Sequence, residues 1–319
     1  MNPLFLYACV FSFASVTLVW WLERRSGNGS ERLIRFSLLL LLLMPALLCL
    51  PKWHILPAPS TVFPVMEAAN QSTPQWLWWL WSIGMSLCVI RLCLSLYQLQ
   101  RWEKNSRPVS DPVMLDALDS CAQHQGFTRS IDLRLLNDHA GPAACGWRKP
   151  IIYLPADSAK WSAETLRAVL LHEIGHHVSH DPLWRIISLL SRSLHWYNPF
   201  VSWLAKQLHH QSEVACDARV IHAGFRKENY AHILCDLAAH APQSAMAMAS
   251  PSGLEKRVRQ LGKNISPIPR VWLVTWLVSL FLIALCVSIL RPARDPGTPI
   301  TPTSEDASLR LQADPFPVK

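Results

Sequence analysis

Four long apolar stretches, Leu4 to Leu22, Leu33 to Leu50, Trp76 to Leu99 and Val271 to Leu290, constrain this chain more than any other feature in it. At about 1.5 Å per residue, each is long enough to carry a helix through roughly 30 Å of hydrocarbon. In lipid a lone backbone segment satisfies its own polar groups only as a helix. The expectation is therefore an α-helical membrane protein with four transmembrane helices. Half of the residues are hydrophobic and 16% are charged, and these stretches account for that departure from soluble composition. The first stretch lacks the basic lead-in and the small-residue cleavage site of a secretion signal, so it reads as a retained anchor.

Lys and Arg set the orientation. The loop between the first two stretches carries Arg24, Arg25, Arg32 and Arg35, residues 51–75 carry only Lys52, and residues 101–270 carry twenty Lys and Arg. The positive-inside rule places that first loop and the 101–270 region in the cytoplasm, with both termini outside. The expected organisation is a membrane region, 1–100, with helices at about 4–22, 33–50 and 76–99. A cytoplasmic domain at 101–270, a fourth helix at 271–290 and a short Pro-rich extracytoplasmic tail at 291–319 follow. Trp76, Trp78, Trp79 and Trp81, and Trp20 and Trp21, read as interfacial belts, and Arg91 reads as a side chain snorkelling to headgroups. The net charge of +8 is spread through loops beside an anionic leaflet, so no direct nucleic-acid partner is expected. The nine cysteines form no C-x-x-C pair and read as packing residues; Cys216, next to Asp217, is expected to point away from the ligand face.

Chemistry concentrates at His172-Glu173-Ile174-Gly175-His176. On a helix, residues four apart share a face, so both imidazoles reach one metal ion while Glu173 on the flank deprotonates a water held there. Ser162 is placed to cap this helix, Trp161 and Leu166 to staple it, and Glu164 to favour its dipole. Leu166, Leu170, Ile174 and Val178 make its packing stripe. His177 and His180 are not expected to bind the ion. Asp181 reads as a carboxylate orienting an imidazole, or as a cap before Pro182. Asn198-Pro199 opens another helix, running to about Gly224, on which Glu213 and Asp217 share a face. Glu213 can complete a His, His, Glu set with His172 and His176, and Asp217 can hydrogen-bond a ligand histidine.

These residues in combination, His172 to His176, Asp181, His195-Trp-Tyr-Asn198-Pro199 and Glu213-Val-Ala-Cys-Asp217, resemble the BlaR/MecR family of membrane metallopeptidases. Gly146-Trp-Arg-Lys-Pro150-Ile-Ile-Tyr-Leu-Pro155 and the basic Leu254-Glu-Lys-Arg257-Val258 extend the likeness. The resemblance implies a bacterial cytoplasmic membrane protein with a zincin-like, mainly helical α+β protease domain inserted between the third and fourth helices. It implies one Zn2+ per chain and a protein substrate, such as a cytoplasmic transcriptional repressor cut by an antirepressor protease. A homodimer is also within its scope. Two features depart from the family: His180 stands where an Arg is common, and the stretch after residue 290 is too short and Pro-rich for the family's penicillin-binding sensor domain.

Glu173 is the expected general base and His172, His176 and Glu213 the expected zinc ligands, with Asp217 and Asp181 behind them. His195, Asn198 and Tyr230 are the candidates for stabilising an oxyanion. Asp111 to Gln125 reads as a helix, and Ile131 to Leu136 and Ile151 to Leu154 read as strands, one of which is either a substrate-binding edge or part of a supporting hairpin. Competing readings are a housekeeping membrane protease of the HtpX or CAAX-processing type, and a non-catalytic zinc-containing signalling scaffold.

Overall fold

The computed structural model describes residues 3–26, 30–48, 75–136, 141–239 and 251–261, with the isolated positions 274 and 278. The loop at 51–74, the tail at 291–319 and, those two positions apart, the expected fourth span at 271–290 lie outside the described residues, as does the side chain of Trp78.

The three N-terminal stretches are helices: α1 (Pro3–Ser26), α2 (Glu31–Leu48) and α3 (Gln75–Asn105). Among the described residues one segment, Trp79–Asn105 of α3, is long and apolar enough to cross a membrane by length and composition. Only 6% of its apolar window is buried, and a helix that is apolar on its bare faces needs an apolar surround. The apolar run of α1, Ala8–Leu22, is shorter, and α2 opens with Glu31, Arg32 and Arg35.

The chain then enters a small sheet wrapped by helices. β1 (Ser106–Pro108) follows directly on α3, then α4 (Pro112–His124), β2 (Asp132–Leu136), β3 (Ala143–Cys145) and β4 (Ile151–Pro155). The strand order is β1-β2-β4-β3: β2 and β4 pair in parallel at the centre, and β1 and β3 add antiparallel edges. Three-residue edges such as β1 and β3 carry too little periodicity to be seen in sequence. The helical body comprises α5 (Ala163–Val178), α6 (Asp181–Leu194), α7 (Pro199–His222), α8 (Lys227–Ala239) and α9 (Pro251–Leu261).

Local chemistry explains where these helices start. Asp111 accepts from the backbone N of Val113 at α4, Ser162 from Thr165 at 3.1 Å at α5, and Asn198 from Phe200 at 3.0 Å at α7. Pro112 and Pro199 sit in first turns, where a missing N–H costs nothing. His180 takes a left-handed φ of 57°, which reverses the chain sharply between α5 and α6.

Two apolar clusters divide the molecule. Leu118 of α4, Leu133 of β2, Ile152 and Leu154 of β4, Leu170 and Ile174 of α5 and Leu234 of α8 form one. Phe11 and Leu18 of α1, Leu38 and Leu41 of α2, and Val201 and Leu204 of α7 form the other. α7 joins both, and it crosses α5 at Gly175, where a Cβ would stand 3.1 Å from Cys216 Sγ and 3.2 Å from Arg219 Cδ. Gly175→Val is expected to force the helices apart and to destabilise the protein by about 1–3 kcal/mol, read as a lower thermal midpoint of the detergent-solubilised chain. An unchanged midpoint would show that the crossing has slack.

Candidate metal centre

α5 and α7 bring three donors to one point. His172 Nε2 lies 3.4 Å from one Glu213 oxygen, His176 Nε2 lies 3.6 Å from the other, and the two rings stand nearly perpendicular at 5.0 Å. His172, His176 and Glu213 offer ligand atoms all within 4.8 Å of one another. A tetrahedral ion with ligands at about 2.0–2.1 Å spaces them roughly 3.3–3.4 Å apart, so this donor set fits one small divalent cation.

The outer nitrogens explain why the inner ones converge. His176 Nδ1 meets Asp181 Oδ2 at 2.7 Å, and the other Asp181 oxygen accepts from Arg35 Nη2 of α2 at 2.7 Å. On the other ligand, His172 Nδ1 lies 3.2 Å from both Asp217 Oδ1 and the Tyr230 hydroxyl, which donates to Asp217 at 2.8 Å. Arg257 of α9 grips Asp217 through Nε at 2.9 Å and Nη2 at 2.7 Å, and its Nη1 reaches Glu213 at 3.2 Å. With each Nδ1 facing a carboxylate, each Nε2 is left facing the centre.

Charge is balanced tightly in this buried space. Burial would raise Glu213 and Asp217, but His172 and Arg257 outweigh it and hold both carboxylates below their ordinary values. Burial would lower His172, yet its bonds to Asp217 and Glu213 prevail and hold it up at about 10. Burial pushes His177 down to about 4, and its Nε2 sits 3.3 Å from the Ile151 carbonyl, away from the centre. Glu173 is buried on the metal helix, and among the described residues no hydrogen bond or ion pair engages its carboxylate. On β3, burial, and to a lesser degree the charge of Glu173, push the Cys145 thiol up to about 11 against the opposing Arg185.

Three residues read from sequence as oxyanion candidates are placed otherwise than beside the inner nitrogens. His195 Nε2 lies 3.0 Å from the Leu41 carbonyl of α2, and the Asn198 amide donates to Ser12 Oγ of α1 at 2.9 Å. Both are fully buried, and a buried donor needs a partner, which the neighbouring helices supply. Tyr230 reaches the centre from behind, on the Nδ1 side of His172. Cys216 also differs from the expectation: its thiol sits 3.3 Å from His176 Nδ1, because the close α5–α7 crossing turns it under that ring. Sequence reasoning missed Arg35 and Arg257. Arg35 counted there only toward topology, and Arg257 lay in a basic motif given no role.

Comparison with known proteins decides the family. The family model for the BlaR1 peptidase M56 matches residues 58–261, more than half of the chain. The chain belongs to this metallopeptidase family. The M56 match takes in every residue of the centre except Arg35. The chain is also 27% identical over 141 residues to the Regulatory protein BlaR1 of Bacillus licheniformis, an alignment covering 44% of this chain and 24% of that protein. The chain thus aligns with about a quarter of that relative's length.

Two outcomes follow for the M56 site. His172 titrates between its ordinary 6.5 and about 10, so its proton stabilises the fold fully below 6.5 and is lost toward 10. An ion taken up at Nε2 displaces that proton, so metal affinity is expected to rise with pH across this window with proton release in calorimetry; a pH-independent affinity would contradict the geometry. Arg35→Ala is expected to lower metal affinity roughly 10–100-fold through Asp181 and His176, with partial recovery in Arg35→Lys. Competition with a chromogenic chelator measures both.

Proposed function

We propose that this chain is a membrane-seated zinc endopeptidase that cuts a cytoplasmic protein, in a regulatory, antirepressor-type role. Zinc bound by His172, His176 and Glu213 would supply Lewis acidity, polarising a peptide carbonyl and acidifying water. Glu173 takes a proton from the attacking water and returns it to the departing amine, the task suited to a carboxylate left uncommitted by its neighbours. Asp217 and Asp181 keep the ligand imidazoles in the tautomer that presents Nε2 inward. Arg257 offsets the charge of Glu213 and Asp217, and Arg185, 3.6 Å from Glu213, lies near enough to meet negative charge developing on a substrate.

The observation that carries this reading is the convergence of two Nε2 atoms and one carboxylate, each backed by its own bonded partner, beside an uncommitted Glu on the same helix. A purely structural site has no use for that base. Substrate access has a route as well. Among the described residues β3 is an outer strand of the sheet and packs beside α5, so an extended peptide can pair with its outer edge beside the metal helix. The membrane seat is supported by α3, whose apolar window is almost entirely uncovered by the rest of the protein. The regulatory role is supported by the likeness to a relative named as a regulatory protein.

Glu173→Gln is expected to retain zinc and to lose cleavage by about 10²-fold or more, whereas Glu213→Ala loses zinc itself. Zinc content by elemental analysis and the cytoplasmic cleavage products of cells carrying each form test this. A few defined products absent from the Gln form support a regulatory protease. Many unfolded membrane substrates would mean quality control, and undiminished cleavage by the Gln form would sink the assignment of Glu173.

A further inference from the structure

We infer that the α6–α7 hairpin is a re-entrant membrane element, dipping from the cytoplasmic face to about mid-bilayer and presenting Ile186 and Leu190 to lipid. The inference rests on the membrane reading of α1, α2 and α3 proposed above. It assigns to the bilayer a part of the chain that the sequence places in a cytoplasmic domain.

Contacts at the tip set the depth. Asn198 bonds to Ser12 at 2.9 Å and Phe200 packs edge-on against Phe13 at 5.4 Å, both near the middle of the apolar run of α1. His195 meets the Leu41 carbonyl at 3.0 Å and Ser191 donates to the Leu38 carbonyl at 2.8 Å, near the middle of α2. Trp196 covers Gly84 of α3, where any Cβ would overlap its ring. Two separate helices, α1 and α2, are thus met close to their midpoints by the tip of the hairpin, residues 191–200, and α3 is met at Gly84, within its apolar span but nearer its start. If those helices cross the bilayer, whatever touches their midpoints lies at that depth.

The legs of the hairpin agree with this. α6 runs from Asp181, bonded to Arg35 at the basic end of α2, down to His195. α7 climbs from Asn198 to Gln211, which donates to Ser30 in the turn joining α1 to α2. From Ile186 to His195 is roughly 13 Å of helix, close to half of a hydrocarbon core of about 30 Å. The twenty residues from Ile186 to Ala205 include one charged side chain, Arg192. Side chains on a helix lean toward its N-terminus, which for Arg192 is the cytoplasmic end.

Three polar side chains at the tip are handled as lipid requires, whereas the buried Trp196 Nε1 has no partner among the described residues. His195, Asn198 and Ser191 are fully buried and bonded to α1 and α2, so they do not face hydrocarbon. Ile186 and Leu190, one turn apart on the outer face of α6, are 44% and 38% exposed. An ordinary cytoplasmic hairpin would show the reverse arrangement, with polar residues outward. One consequence concerns the metal centre: Glu213 lies two residues beyond Gln211 and His176 bonds the carboxylate held by Arg35, so the centre sits at the cytoplasmic membrane surface. Substrates would then be cut close to the bilayer plane.

Depth measurement by electron paramagnetic resonance tests this in the full chain reconstituted into phosphatidylcholine vesicles. A nitroxide-bearing amino acid that needs no thiol for attachment, so that the native cysteines remain, is introduced singly at Ile186, Leu190, Leu87 of α3 or Val113 of α4, positions that are all exposed. Relaxation by oxygen reports lipid, and relaxation by a water-soluble nickel chelate reports solvent. The expected oxygen-to-nickel ratio at Leu190 matches that at Leu87, lies several-fold above that at Val113, and exceeds that at Ile186. A Leu190 label in water beside a Leu87 label in lipid overturns the re-entrant hairpin and leaves the membrane reading intact. Leu87 in water removes the membrane reading itself, and a Leu190 label shielded from both reagents means protein rather than lipid covers that face.

Discussion

Two buried carboxylates, Asp181 and Asp217, govern the rest of the centre. An ionised carboxylate is costly to bury unless it is bonded and paired, and each of these is held by an arginine from a distant part of the chain. Each carboxylate lies against the Nδ1 of one ligand imidazole and so turns that ring's Nε2 inward. Both Nε2 atoms then face Glu213, and an ion taken up between them displaces the proton that His172 holds there. The same pairings stitch α2 and α9 to α5 and α7, so holding the site and holding the fold are one task.

That coupling has a mechanical meaning. Arg35 stands at the start of α2, stacks 5.3 Å over the Trp184 ring, and reaches His176 through a single carboxylate. A shift of α2 along its axis cannot occur without remaking this bond or dragging the ligand imidazole with it. For a protease proposed to have a regulatory role, the path from α2 to the metal ligand His176 therefore has one carboxylate between its ends.

Much of the site was legible from local patterns. His172, Glu173 and His176 share a helix whose Ser162 cap and apolar stripe are written in adjacent residues, and Asn198-Pro199 announces α7 in the same way. Glu213 and Asp217 could be paired with the first helix because four-residue spacing marks a shared face. The arginines were not legible, since nothing near Arg35 or Arg257 in sequence indicates a carboxylate more than a hundred or about forty residues away. β1 and β3 escaped notice because three residues carry no reliable alternation. His195 and Asn198 looked like catalytic groups because polar residues beside a metal motif usually invite that reading, and their partners Leu41 and Ser12 appear only on folding.

By itself, the sequence determined the helices, their caps, the spacing of the donor residues and the basic asymmetry of the loops, because each depends on neighbours within a turn or two. Tertiary structure decided which imidazole nitrogen faces inward, which arginines neutralise which carboxylates, and that the α6–α7 turn lies against the middles of α1 and α2 and against α3 at Gly84. Those are relations between segments remote in the chain. They are set by the cost of leaving a buried charge or donor unpaired, which is incurred only once the segments meet.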